Sequence, residues 1–99
     1  MGFEWDELKR KENLRKHGID FVDVVEVFHS PMLTKLDTRQ EYGEDRWIGI
    51  GYVPNRVIVI CFTERDRGQT FRIISARKAL NHERKIFEEK IADELGKNR

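Results

Sequence analysis

The sequence predicts an α+β fold in which consecutive antiparallel strands follow two helices and precede a third. Short apolar segments separated by tight turns between residues 46 and 75 are typical of an antiparallel meander. Apolar residues at helical spacing, with capping residues before them, indicate helices on both sides of these strands. The chain has 99 residues, the size of one ordinary domain, so we expect a single domain over residues 1–99.

Two helices are predicted before the strands. Asp6 is a suitable N-cap for a helix that runs to about His17, and Gly18 follows as the residue just past its end. Asp20 can cap a second, short helix that ends before Pro31. The residues of this second helix that recur at helical spacing are Phe21, Val24, Val25 and Phe28.

Four strands and a final helix are predicted to follow. The strands are expected at 32–36, 46–53, 56–63 and 70–75, with a polar loop at 38–45 and turns at 54–55 and 65–69. The third is apolar through its middle, which favours a central position in the sheet. The last helix is expected over 79–95, and we expect all the helices to cover one face of the sheet.

Composition excludes several classes of protein. The hydrophobic share is 38% and charged residues make up 37%, which is enough apolar material for a folded core. No apolar stretch is long enough to span a bilayer. A single cysteine, Cys61, rules out an internal disulfide and is expected to be a small buried thiol. We therefore expect a reduced, cytoplasmic protein.

The formal net charge of +1 hides two basic blocks. Residues 9–16 hold five cations against one carboxylate, and residues 65–85 hold seven against two. If the fold brings the blocks together, they form one face that binds a polyanion. Otherwise they are two solvated surfaces.

Arginines near the end of the last strand are the leading site candidates. Arg72 and Arg77 can each bind a phosphate through two parallel hydrogen bonds, and both stay charged at any working pH. Arg72 should point away from the face that is expected to hold Phe71, Ile73 and Ser75. Arg65 and Lys78 extend the cluster. The alternative interpretation is surface arginines that pair with carboxylates such as Glu44 or Glu64.

His17 is the candidate for proton transfer, because histidine is the side chain whose ordinary pKa lies near neutral. The alternative is a helix-end histidine that satisfies the last carbonyls. Lys16 is a candidate phosphate-binding residue, although a solvated lysine on a basic helix is the favoured interpretation, and Arg46 could project near the arginine cluster from the neighbouring strand. No histidine, cysteine or carboxylate spacing suggests a metal site. Trp5 and Trp47 flank apolar patterns and are expected in the core.

Several motifs in order, from Phe3 to Phe87, resemble the BrnT toxins of type II toxin–antitoxin systems. The resemblance implies a small RelE-like α+β fold and an endoribonuclease that blocks translation. It also implies a BrnA-like antitoxin, a ribbon-helix-helix protein that sequesters the toxin. Phe87 stands where many family members carry tyrosine. The matching motifs are Phe3-Glu4-Trp5-Asp6, Asn13, Lys16-His17-Gly18-Ile19, Phe21, Val27-Phe28, Gly43-Glu44, Arg46, Phe62-Thr63-Glu64-Arg65, residues 72–79 and Glu83-Arg84.

Three hypotheses follow. The first is a metal-independent ribonuclease toxin without a cofactor. Its catalytic residues are expected to be His17, Arg72, Arg77 and Arg65, and its RNA-binding residues Lys16, Arg46 and Lys78. The second is a non-catalytic nucleic-acid-binding module that uses the same basic face, and the third is a protein-interaction subunit. Under the first, an antitoxin covers part of residues 65–78, and operator DNA is contacted only by the toxin–antitoxin complex, because this sequence contains no DNA-binding motif of its own.

Overall fold

A computed structural model of the protein describes residues 1–97. It contains five strands, three α-helices and one short 3-10 helix, Val25–His29, in an α+β arrangement. The strands are β1 (Gly2–Glu4), β2 (Met32–Leu36), β3 (Trp47–Val53), β4 (Arg56–Arg65) and β5 (Thr70–Lys78). The α-helices are α1 (Glu7–His17), α2 (Phe21–Val24) and α3 (Asn81–Lys97).

The five strands form one mixed sheet in the order β1-β5-β4-β3-β2. Strands β2 to β5 pair antiparallel with their neighbours in sequence. The expectation of a purely antiparallel sheet was wrong, because β1 adds to the edge of β5 in parallel, with Gly2 opposite Thr70. Strand β1 has only three residues, too few for an alternating pattern of apolar side chains to be recognised in the sequence. The parallel pairing needs the long crossover that residues 5–69 provide.

Predicted caps define the first two helices. Asp6 accepts hydrogen bonds from the backbone N–H groups of Leu8 and Lys9 at 2.9 and 3.1 Å. Gly18 ends α1 in the left-handed region, at φ 69°, and donates its N–H to the Leu14 carbonyl. Asp20 caps α2 in the same way as Asp6 caps α1. The second helix is short, and a 3-10 turn carries the chain on to His29.

The helices do not share one face of the sheet, which corrects the sequence-based expectation. Ile58, Ile60 and Ile73 face the α1–α2 side, where Phe21 and Val24 complete the main core. Side chains that alternate with these on β4 face α3 instead. This smaller second core contains Val57, Val59, Ala79 and Phe87. Alternation along β4 therefore supplies two apolar faces, because strand side chains point alternately to the two sides.

Phe87 is 1% exposed and lies against the ring of Tyr52, with their centroids 4.9 Å apart. The aromatic ring at this position is therefore part of the smaller core. Trp5 and Trp47, as predicted, pack against the main core.

A bulge in β5 changes which side chains reach the sheet's α3 side. Phe62 pairs with Ile73 but Cys61 pairs with Ser75, so Ile74 has no partner across the strand pair. Ser75 and Arg77 consequently lie on the same side as Cys61 and Val59, beyond the area that α3 covers. The expectation that Ser75 shares a face with Phe71 and Ile73 was wrong for this reason, since an extra residue shifts the alternation by one.

None of the helices in the described residues is long and apolar enough to cross a membrane.

Candidate active site

Beside the start of α3, the open part of the sheet forms a hollow of about 130 Å³. Strand, helix and loop residues all contribute to its wall, and no acidic side chain is among them. The lining residues are His17, Arg39, Ile48, Val59, Cys61, Ser75, Ala76 and Arg77. Two guanidinium groups and an imidazole around an acid-free hollow favour an anionic ligand.

Arg77 is held in the hollow by Glu83, which lies in the first turn of α3. The two side chains form a bidentate pair, at 2.8 Å from Nη1 to Oε1 and 2.9 Å from Nη2 to Oε2. Glu83 also accepts the backbone N–H of Leu80 at 2.8 Å and thereby caps the helix start. The Arg77 hydrogen bonds lower the pKa of Glu83 to about 2, and the same contact raises the pKa of Arg77. The guanidinium is therefore charged and fixed before any ligand arrives.

His17 reaches the hollow because Asn13 anchors α1 to the exposed edge of β5. The Asn13 side-chain amide donates to the carbonyls of Ala76 and Ile19 at 2.9 and 3.0 Å. Its oxygen accepts the Ala76 N–H at 3.1 Å, so the side chain imitates a neighbouring strand. His17 lies one helical turn after Asn13 and borders the hollow next to Ser75.

The two basic blocks of the sequence meet at this place. A second hollow of about 230 Å³ adjoins the first, with His17 and Ser75 in both walls. Its other lining residues come from α1 and the bulge: Lys9, Glu12, Asn13, Lys16 and Ile74. The hypothesis that the blocks form one polyanion-binding face is therefore supported by their placement.

Arg39 enters the hollow from the loop between β2 and β3. Its guanidinium donates to the Asp37 carboxylate at 2.9 Å from Nε and 2.8 Å from Nη2. The side chain of Asp37 is 1% exposed, and it also accepts the Tyr42 hydroxyl at 2.9 Å. These hydrogen bonds, with that from Arg39 the strongest influence, keep the pKa of Asp37 well below its ordinary value.

Arg72 belongs to a second charged cluster, further along the same side of the sheet. It pairs with Glu4 at 3.4 Å, and Arg65 contacts both Glu4 at 3.4 Å and Glu44 at 3.5 Å. Arg46 approaches Glu44 at 3.5 Å and lies over the Tyr42 ring, 4.2 Å from its centroid. The structure thus brings Arg72, Arg65 and Arg46 together and places Arg77 in a different group, with Glu83.

The remaining predicted residues are distributed as follows. Lys16 borders the second hollow and pairs with Glu12 at 3.4 Å. Lys78 is opposite Ile58 in the register, which directs it to the face opposite Arg77. Cys61 is only partly buried and forms part of the hollow's floor, which corrects the expectation of a buried thiol.

Four residues that build the site were not among the candidates from sequence: Asn13, Asp37, Arg39 and Glu83. Each acts through a partner on another element or across a turn. One signal was available, since Glu83 three residues after Leu80 has the spacing of a capping carboxylate. Nothing local distinguishes Asp37 or Arg39 from ordinary loop residues.

The fold and the hollow define a class: a small α+β protein with a basic hollow, without acidic lining residues, on one face of its sheet. No group of three or more histidine, cysteine or carboxylate side chains in the described residues could hold a metal ion.

A family comparison specifies this class further. Residues 5–83 match the family described as the ribonuclease toxin BrnT of type II toxin–antitoxin systems. Because the match covers most of the chain, this protein belongs to the BrnT toxin family. Its class of activity is therefore that of a ribonuclease toxin, with RNA as substrate and an antitoxin as partner. A comparison with curated proteins found no match.

Proposed function

We propose that this protein is a metal-independent endoribonuclease that cuts RNA in the hollow bordered by His17 and Arg77. The substrate's own 2′-hydroxyl is the nucleophile, so the protein needs to move protons and to stabilise charge on phosphorus. The 2′-oxygen forms a bond to phosphorus while the bond to the 5′-oxygen breaks. The products are a 2′,3′-cyclic phosphate and a 5′-hydroxyl.

The observation that carries this proposal is the fixed guanidinium of Arg77 in a hollow without acidic side chains. A charged group that is already oriented costs no reorganisation when negative charge builds up in the transition state. Glu83 accepts hydrogen bonds from both Nη atoms of the Arg77 guanidinium, which leaves its Nε–H group for the phosphate. The arrangement suits a phosphorane better than a neutral ligand.

His17 is the proton-transfer group in this proposal. It lies at the junction of the two hollows, so a ribose in one and a phosphate in the other would both be within its reach. No hydrogen bond of its side chain to another residue is present in residues 1–97, which leaves the imidazole available to substrate.

The second cluster extends the proposed RNA path along the sheet. Arg72, Arg65 and Arg46 share Glu4 and Glu44 as partners, and their side chains are all partly exposed. The cluster consists of these three arginines and the two carboxylates that they share. We assign these arginines to the phosphates that flank the cleaved bond, so their loss should weaken RNA binding and make it less sensitive to salt.

The decisive experiment adds purified, antitoxin-free protein to RNA in the presence of EDTA and maps the cut ends. Cleavage that leaves 2′,3′-cyclic or 3′-phosphate ends is expected. Activity that disappears in EDTA, or 3′-hydroxyl ends, contradicts the mechanism. Binding that is salt-sensitive but without cleavage would favour the non-catalytic nucleic-acid-binding module instead.

Arg77→Ala is the matched variant, with Arg84→Ala as its control. Arg84 is another α3-side arginine with a carboxylate partner, Glu88 at 3.7 Å, but it does not line the hollow. Loss of one electrostatic stabiliser should lower kcat by about a hundred- to a thousandfold. Equal activity in the two variants would show that Arg77 is structural.

In the cell, we propose that the enzyme inhibits translation and growth, and that a BrnA-like ribbon-helix-helix antitoxin neutralises it by covering part of residues 65–78. Operator DNA would then be contacted through the antitoxin. Co-expression of the antitoxin should restore growth, and RNA and antitoxin should compete in binding. A tight complex that still cuts RNA at the full rate would refute this account of inhibition.

A further inference from the structure

We propose that Arg39 is a second phosphate-binding catalytic residue of the hollow, and that Asp37 is the residue that positions it. This inference rests on the proposed ribonuclease function. It adds a group from the loop between β2 and β3 to a site otherwise built from α1 and β5.

Asp37 is placed to orient the arginine rather than to meet solvent. Its carboxylate accepts three hydrogen bonds from Arg39, one from the backbone N–H at 3.1 Å and two from the guanidinium at 2.9 and 2.8 Å. A fourth comes from Tyr42, and the Asp37 N–H donates to the Arg46 carbonyl at 2.7 Å. A buried carboxylate with this many donors stays ionised and holds a bidentate partner in one geometry.

The guanidinium of Arg39 reaches the floor of the hollow. Its Nη2 lies 3.8 Å from the Cys61 sulfur, in the middle of the sheet face. Cys61 is paired with Ser75 across β4 and β5, and Arg77 follows two residues later. The two arginines therefore border the same hollow.

The two guanidinium groups of the hollow are paired with carboxylates that do not line it. Arg39 is paired with Asp37 and Arg77 with Glu83, and neither carboxylate is among the residues that line the hollow. Nη1 of Arg39 donates no hydrogen bond within residues 1–97, and the side chain is 67% exposed. A phosphodiester between the two guanidiniums would receive N–H donors from both, which suits the three equatorial oxygens of a phosphorane.

The competing explanation is that Arg39 serves only to neutralise Asp37. That explanation predicts a loss of stability without a specific effect on the chemical step. Replacement of Arg39 by lysine also distinguishes the two explanations, because a lysine ammonium can neutralise Asp37 but does not present a planar fork to phosphate.

The test measures single-turnover RNA cleavage in EDTA by the wild type, Arg39→Ala, Arg39→Lys and the control Arg84→Ala. Arg39→Ala should lower the rate constant by about a hundredfold or more, and Arg39→Lys should recover little of it. Millimolar guanidinium chloride should restore part of the activity of Arg39→Ala and leave that of Arg84→Ala unchanged. Such rescue replaces the missing group and is not expected of a structural defect.

A double-mutant cycle tests the positioning role of Asp37. Asp37→Asn should slow cleavage in the wild type but have little further effect in the Arg39→Ala background, because its influence passes through Arg39. Unchanged cleavage in Arg39→Ala, or a loss that guanidinium does not restore, overturns this inference while leaving the ribonuclease proposal intact. Failure of the wild type to cut RNA overturns the proposed function itself, and this assignment with it.

Discussion

Replacement of Asn13 by alanine should both destabilise the protein and slow RNA cleavage, because this side chain fastens the helix that carries His17 to the sheet. Asn13 is 7% exposed and makes three hydrogen bonds, two to Ala76 and one to Ile19. Each net hydrogen bond contributes about 0.5–1.5 kcal/mol, and the variant also leaves backbone groups unpaired, so the expected loss is about 2–4 kcal/mol.

Thermal unfolding is a suitable assay for this variant. For a domain of this size, each kcal/mol lowers Tm by roughly 4–8 °C, so a decrease of roughly 8–32 °C is expected. Leu8→Ala is the matched control, since Leu8 lies on the same helix and is 77% exposed. A surface change of that kind should stay within about 0.5 kcal/mol of the wild type. An Asn13→Ala variant as stable as the control would refute the argument that this amide substitutes for a strand.

Two further predictions concern packing and pH. Gly51→Ala should destabilise the fold by about 1–3 kcal/mol in urea unfolding, because a Cβ atom there would lie 2.6 Å from Cγ1 of Val27 in the main core. Equal stability would show that the core can relax at this point. Glu83→Gln should remove one source of acid sensitivity. Arg77 lowers the pKa of Glu83 in the folded state to about 2. The pair therefore stabilises the fold fully above the ordinary pKa of 4.5, and this stabilisation is lost as the pH falls toward 2. The stability difference between wild type and variant should shrink over that range, and a constant difference would contradict the pairing.

Much of the fold could be predicted because residues close together in the sequence determine it. Asp6, Gly18 and Asp20 mark helix ends through their own side-chain or backbone chemistry, and they do so in the structure. The central position of β4 follows from its apolar middle. These predictions required no knowledge of distant contacts.

The wrong expectations share a physical cause, which is dependence on distant partners. Strand β1 exists because Gly2 to Glu4 lie beside β5, almost seventy residues later. The side of the sheet on which α3 packs depends on which set of alternating β4 residues it covers, and both sets are apolar. The position of Ser75 depends on the bulge at Ile74, which only the pairing with β4 reveals.

The sequence indicated charged residues that meet at the hollow, but not the residues that hold them in position. His17 and Arg77 were recognised as candidates by their chemistry, and the structure places them at one hollow. Their roles in catalysis stay predictions. Glu83 and Asn13, which fix their positions, were not recognised, because orientation by a partner leaves little trace in a single sequence.

The arrangement of supports explains how a basic surface can become a site. Each group at the hollow is fixed by a different element: Arg77 by the start of α3, Arg39 by the end of β2, and His17 through the attachment of α1 to β5. These supports all lie outside the hollow, so they orient the positive groups without filling the place where a phosphate would bind. Orientation in advance is what electrostatic catalysis requires, since little energy is then spent on rearrangement when charge develops. The bulge at Ile74 is also needed, because it turns Ser75 toward the hollow. Without this extra residue, Ser75 would point into the main core and would no longer line the hollow.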